Sequence, residues 1–146
     1  MKTIADILND KGGEVWSIAP ATTVKAALLE MASRDTGAMP VLSDGKLVGI
    51  FSERDFARKV AADREITLDI PVSEVMTTQV YYVDATYSIE QCMAVITDKR
   101  VRHLPVMEGE QLVGIITIGD VVKRVIADQQ FMIEELEKYI KGSYPG

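Results

Sequence analysis

Hydrophobic positions along the chain follow two alternating periods. Val24, Ala27, Leu28 and Met31 recur at i, i+3, i+4 and i+7, the stripe of an amphipathic helix, and Ile89, Cys92, Met93 and Ile96 repeat that spacing. Helices are therefore predicted over about 23–33 and 88–99, each preceded by a short β-rich stretch at 15–18 and 80–83. Two strands follow the first helix, at 38–42 and 46–51, joined by Ser43-Asp44-Gly45, a turn signal. In the second half Glu108-Gly109-Glu110 serves the same turn. A further helix is predicted to begin near Asp55 and another near Asp120.

The two halves are copies. MPVLSDGKLVGIFSERDFARKV (39–60) aligns with LPVMEGEQLVGIITIGDVVKRV (104–125) without a gap, and Pro40/Pro105, Gly49/Gly114, Asp55/Asp120 and Val60/Val125 all lie 65 apart. Each copy reads β-α-β-β-α, so the fold class expected is α/β, of the α+β kind with mixed sheets. The expected organisation is repeat one at 3–65, repeat two at 66–127 and a helical extension at 128–146, with residues 61–73 and Pro71 connecting the copies. A single copy would bury a marginal core, so the two are expected to pack together as a pseudo-symmetric pair.

The second copy ends differently from the first. Nothing breaks a helix from Asp120 through Lys141, and Gly142 then offers a stop. Val122, Val125, Ile126, Gln129, Ile133, Leu136 and Ile140 form a mainly apolar stripe that outruns the repeat. Such a stripe either folds back on its own module or meets a second subunit.

Charge and composition narrow the possibilities. A formal net charge of −6 argues against a broad nucleic-acid face, while leaving room for a local basic pocket that holds one small anion. Apolar runs are far shorter than the ~20 residues needed to cross a bilayer, and residues 1–10 show no signal-peptide pattern. Cys92 is the single cysteine, which excludes an internal disulfide, and no Cys/His cluster could hold zinc. A cytoplasmic location is expected, and Cys92 itself reads as a small buried hydrophobe. Met31, Met39, Met76, Met93 and Met107 read as core.

Two constellations carry candidate chemistry. Gly-hydrophobic-x-(Ser/Thr)-x-x-Asp occurs twice, as Gly49…Ser52…Asp55 and as Gly114…Thr117…Asp120. Ser52 and Thr117 can be N-caps, with the aspartates as first-turn anions. A hydroxyl and a carboxylate three residues apart, between a strand end and a helix start, can also accept hydrogen bonds from the vicinal diol of a ribose. The second constellation is Lys99, Arg100, Arg102 and His103, crowded at the mouth of the RHLPV strand. Solvation of a strand edge and neutralisation of an anion both account for it. His103 has no Ser or Cys nucleophile at a recognisable motif spacing, and no catalytic constellation is left over, so the chain is not expected to be an enzyme.

The duplicated unit, with its LPV and LVGI strands and its doubled motif, resembles a pair of cystathionine-β-synthase (CBS) domains, a Bateman module, over roughly residues 3–127. The resemblance implies a regulatory module that holds an adenosyl ligand such as AMP, ATP or NAD in the cleft between the repeats, with no catalytic cofactor. It implies Asp120, Thr117, Asp55 and Ser52 at ribose and Val80, Tyr81 and Ile115 around adenine. Arg54, Arg102 and His103 would then lie at phosphate, converging on the Asp120 cleft, while the Ser52–Asp55 cleft lacks cations. Trp16 is the counterpart of Tyr81, at a base or in the core. The resemblance also implies a homodimer and an unidentified regulated protein. A scaffold whose nucleotide pocket is vestigial is the alternative.

Overall fold

The computed structural model describes residues 3–12 and 14–143, with side chains through Tyr139. Local signals place most of the elements. Helix α1 (Ile4–Lys11) opens where the Asp6 carboxylate accepts the Thr3 amide at 2.9 Å, and α2 (Val24–Ser33) where the Thr23 hydroxyl accepts the Ala26 amide at 3.1 Å. Strands β1 (Ala38–Ser43) and β2 (Lys46–Ser52) form an antiparallel hairpin closed by Asp44 and Gly45, both at positive φ (50° and 78°), as a type I′ turn requires. Helix α3 (Glu53–Ala62) follows directly, with Ser52 as its cap.

The second repeat retraces this path. Strand β3 (Val83–Asp84) leads to α4 (Ile89–Lys99), capped reciprocally by Ser88 and Gln91. Strands β4 (His103–Glu108) and β5 (Gln111–Thr117) form the hairpin, and α5 (Ile118–Ser143) completes the chain. β1 and β2 make one two-stranded sheet, β3-β4-β5 a second in which β3 runs parallel to β4, and β2 packs against β5. The mixed α/β class expected from the sequence is observed.

The strands that open each repeat are shorter than expected. Residues 15–18 contribute only a parallel bridge from Ile18 to Val41, and β3 starts at Val83 rather than at residue 80. Val15 and Trp16, like Val80 and Tyr81, face cavities instead of pairing in a sheet.

Each repeat borrows part of its core from the other half of the sequence. Val24, Ala27 and Met31 of α2 pack with Met39, Val41 and Phe51, and this cluster is completed by Val72 and Val75 from the connecting segment. Ile89, Cys92 and Ile96 of α4 pack with Leu104, Val106 and Ile116, completed by Ile4 and Ile7 of α1. The borrowed pieces are equivalent: Ile4-Ala5-Asp6-Ile7-Leu8 matches Val72-Ser73-Glu74-Val75-Met76, 68 positions on. Leu8 lies so close over Gly114, and Met76 over Gly49, that a Cβ on either glycine would stand 2.5 and 2.6 Å from the respective side chain. One cation from each following helix secures the graft. Lys59 of α3 donates to the carbonyl of Val75, and Arg124 of α5 pairs with Asp10 at 2.6 Å.

Two of the sequence expectations need correction. Met93 is exposed on α4 rather than in the core. Helix α5 runs through Gly142 to Ser143, and it does not fold back on its own module. Val121 is buried and Val125 half-buried, but Val122, Ile126, Ile133 and Leu136 are exposed. The side chain of Ile140 and residues 144–146 of the expected extension lie outside the described residues.

Candidate functional site

Because β2 lies against β5, the motif at the end of each hairpin faces the entering segment of the other repeat, and two pseudo-symmetric cavities result. The first, of about 690 Å³, has Ser52, Arg54 and Asp55 of repeat one on one wall and Val80, Tyr81, Arg102 and His103 of repeat two on the other. Its volume falls within the range of ligand pockets, roughly 300–1,000 Å³. The Ser52 hydroxyl accepts the Asp55 amide at 3.1 Å, which is the capping role expected from the sequence. Among the described residues the Asp55 carboxylate accepts one neutral donor, the Thr77 hydroxyl, at 3.1 Å. Lys99 and Arg100 complete the wall. Arg100 closes α4 in the left-handed region (φ 54°), a conformation that costs a non-glycine residue roughly 1–2 kcal/mol and holds its backbone at the cavity edge. In all, Arg54, Lys99, Arg100 and Arg102 face two carboxylates, Glu53 and Asp55.

The second cavity, about 620 Å³, joins Thr117, Asp120 and Ile115 of repeat two to Val15 and Trp16 of repeat one. Its charge is reversed in sign: Lys11 and Arg34 face Glu14, Asp35 and Asp120. Asp120 is already engaged, its Oδ2 accepting from Lys11 Nζ at 2.7 Å and from the Thr117 amide at 2.9 Å. Burial pushes the Asp120 carboxyl up, but these two donors outweigh it and hold the group below the ordinary carboxylate range. Lys11 also donates to the Ile115 carbonyl at 2.9 Å. The Arg34 guanidinium lies over the Trp16 ring at 3.2 Å, whereas its counterpart Lys99 stands 5.2 Å from Tyr81.

The structure brings Arg54, Arg102 and His103 to one cavity, but it is the cavity of Ser52 and Asp55. The resemblance implies instead that they lie with Asp120 and that the Asp55 cleft lacks cations. The physical reason is the crossing at the hairpins. The Arg102 carbonyl accepts the Ile118 amide at 2.9 Å, so its main chain sits beside the motif of its own repeat, while its side chain lines the cleft of the other. Val80 and Tyr81 likewise stand opposite Asp55, apart from Ile115, which lines the second cavity.

His103 lines the first cavity, its ring 3.8 Å from where a Cβ on Gly37 would stand. Burial lowers its pKa from the ordinary 6.5, Lys11 and Arg102 act in the same direction, and Asp120 and Asp55 oppose them. The sequence reading missed Thr77 and Lys11. Neither belongs to the gap-free alignment of the two copies; Thr77 directly follows one exchanged segment, and Lys11 ends the helix that carries the other.

A doubled hairpin-and-helix unit with two cross-repeat clefts defines a tandem-repeat module. The chain belongs to the CBS domain family, whose model matches residues 4–62 and 72–127. A solved CBS-domain structure is 46% identical, covers 86% of this chain and 98% of its own, and superposes with a TM-score of 0.81. CBSX3, a mitochondrial CBS domain-containing protein of Arabidopsis thaliana, is 30% identical over 97% of this chain and 73% of its own length. CBSX2, solved in complex with AMP, has the same fold at 24% identity and a TM-score of 0.73, covering 88% of this chain and 99% of its own. No helix among the described residues is long and apolar enough to cross a membrane.

Proposed function

We propose that this CBS pair is a regulatory module that binds an adenine nucleotide in the Ser52–Asp55 cavity and does not turn it over. One observation carries the reading: Asp55, held by the neutral Thr77 hydroxyl, shares a cavity with Tyr81 and with four Lys and Arg side chains, three of them from the other repeat. In this reading the Asp55 carboxylate accepts the ribose diol, Val80 and Tyr81 flank the base, and Arg54, Arg102 and His103 hold phosphate through charge-assisted hydrogen bonds. AMP, ATP and NAD share the adenosine half that these groups read. The protein bound to AMP in CBSX2 has this fold, which supports the choice of ligand class.

A thermal-shift panel of AMP, ADP, ATP and NAD tests the reading. Ligand at 100 times its dissociation constant adds about 2.7 kcal/mol of stability. No shift with any of them at millimolar concentration favours the scaffold alternative.

Binding should also depend on pH through His103. Free, the residue stays neutral to below 6.5 because its pKa is depressed, so its contribution to folding stability is present above that value and lost as pH falls. A phosphate beside it raises the pKa, so binding takes up a proton and affinity increases as pH falls from about 7 towards 6. The titration of the phosphate itself is common to wild type and His103→Gln, so the difference between their slopes isolates the histidine. Equal slopes in calorimetry would remove His103 from the phosphate site.

The assembled form is proposed to be a homodimer that signals to a regulated protein in the cytoplasm, the compartment that a lone, buried and unpaired Cys92 suits. Exposed Val122, Ile126, Ile133 and Leu136 form one stripe on α5, an apolar surface that a second subunit would cover. Light scattering is expected to give twice the 16.1 kDa chain mass, and a monomer mass overturns the dimer.

A further inference from the structure

The two clefts are almost equally roomy, so space does not distinguish them; their chemistry does. In the nucleotide reading the ribose diol takes a carboxylate and the base takes an aromatic face. In the second cleft both are occupied by the chain's own cations. We infer that Lys11 and Arg34 act as internal occupants of the second cleft, Lys11 in the place of a ribose diol on Asp120 and Arg34 in the place of a base on Trp16, so that the protein binds one nucleotide per chain. The inference rests on the nucleotide reading of the first cleft and adds which cleft is closed and by what.

Both cations are anchored. Lys11 ends α1, whose Ile4 and Ile7 are buried in the core of repeat two, and the neighbouring Asp10 is pinned by Arg124 at 2.6 Å. The ammonium therefore reaches Asp120 and the Ile115 carbonyl from a fixed root. Arg34 closes α2, and Glu30 one turn earlier holds its Nε at 2.7 Å while the guanidinium plane covers the indole. Among the described residues the first cleft has no lysine on its carboxylate, and the cation over its aromatic is held at longer range. The position 65 residues after Glu30 is Val95, so Lys99 has no carboxylate one turn back and stands off from Tyr81. The segment equivalent to the end of α1 offers Asp55 the Thr77 hydroxyl, a neutral donor. Net charge reinforces the difference, since three carboxylates against two cations repel a phosphate that four cations against two carboxylates attract.

Trp16 is the single tryptophan of the chain and lies in the second cleft, so its fluorescence reports on that cleft alone. The test uses the full chain, with AMP and adenosine as probes, and reads stoichiometry by calorimetry and native mass spectrometry. Wild type is expected to take one AMP per chain with little change in Trp16 emission. The double variant K11M/R34M is expected to take a second equivalent, seen with uncharged adenosine as a gain of at least tenfold in affinity at the new site and a change in Trp16 emission. Adding Asp120→Ala should return it to one. Should the double variant fail to fold, the single variants K11M and R34M carry the same test, each opening the second site at weaker affinity. Two equivalents bound by wild type, or one still bound by the folded variants, overturns the inference and leaves the nucleotide reading standing. No binding of either probe to any form overturns the nucleotide reading and this inference with it.

Discussion

Asp55→Ala is expected to weaken AMP binding by roughly ten- to a hundredfold, while Asp120→Ala leaves it nearly unchanged. Loss of a charged hydrogen-bond partner costs about 1.5–3 kcal/mol, and the partner lost here is the carboxylate that shares a cavity with Arg54, Arg100 and Arg102. Asp120 lies in the other cavity, already bound by Lys11 and by the Thr117 amide. Calorimetry on the two variants decides between the clefts. A larger loss at Asp120 would put the ligand beside Trp16 and remove the basis for the assignment. The contrast needs no absolute affinity, because both variants delete the same chemical group from pseudo-equivalent positions.

Ile4→Ala should lower stability by about 2–5 kcal/mol. Its side chain is fully buried among Val83, Ile89, Leu104 and Val106, and truncation leaves a cavity in the core of the second repeat. For a chain of this size the melting temperature should fall by roughly 5–15 °C. The fall should come as a single transition, since the damaged core is locked to the other repeat through α1 and the segment around Val72. Differential scanning calorimetry reads both quantities. A loss below about 1 kcal/mol would show that α1 is held loosely, and with it the Lys11 contact.

Much of this architecture could be read from residue patterns, because local rules and the repeat point the same way. Thr23, Ser88, Ser52 and Thr117 cap the helices they precede, and Asp44-Gly45 turns the hairpin, since each choice is settled within a few residues. The stripe Val24, Ala27, Met31 is buried as its spacing predicts. The exchange of core segments was hidden for a definite reason. Ile4 and Val72 are 68 apart whereas the hairpins are 65 apart, so a gap-free comparison slides past them. The pairing of cations with carboxylates escapes the sequence for a related reason. Arg102 is close in main chain to the Thr117–Asp120 motif, and only the crossing of the two hairpins brings it to the cavity that Asp55 lines. Sequence proximity reports backbone neighbours; the partner across a pseudo-twofold is a property of the assembled pair.

The exchanged segments bear on how a chain of this kind could arise. Separated within residues 63–69, the molecule would become two peptides, each holding the piece that completes the other's core: Ile4 and Ile7 on one, Val72 and Val75 on the other. That is the arrangement of a domain-swapped pair. A solitary ancestral repeat would have met the same need by lending its leading segment to a twin, an encounter that fails when the protein is scarce. Joining two copies in one gene replaces that encounter with an intramolecular one, at an effective concentration on the order of millimolar. Both clefts then stay built at any level of expression, and the two motifs are free to diverge, one keeping its carboxylate open and the other bridging it to a lysine.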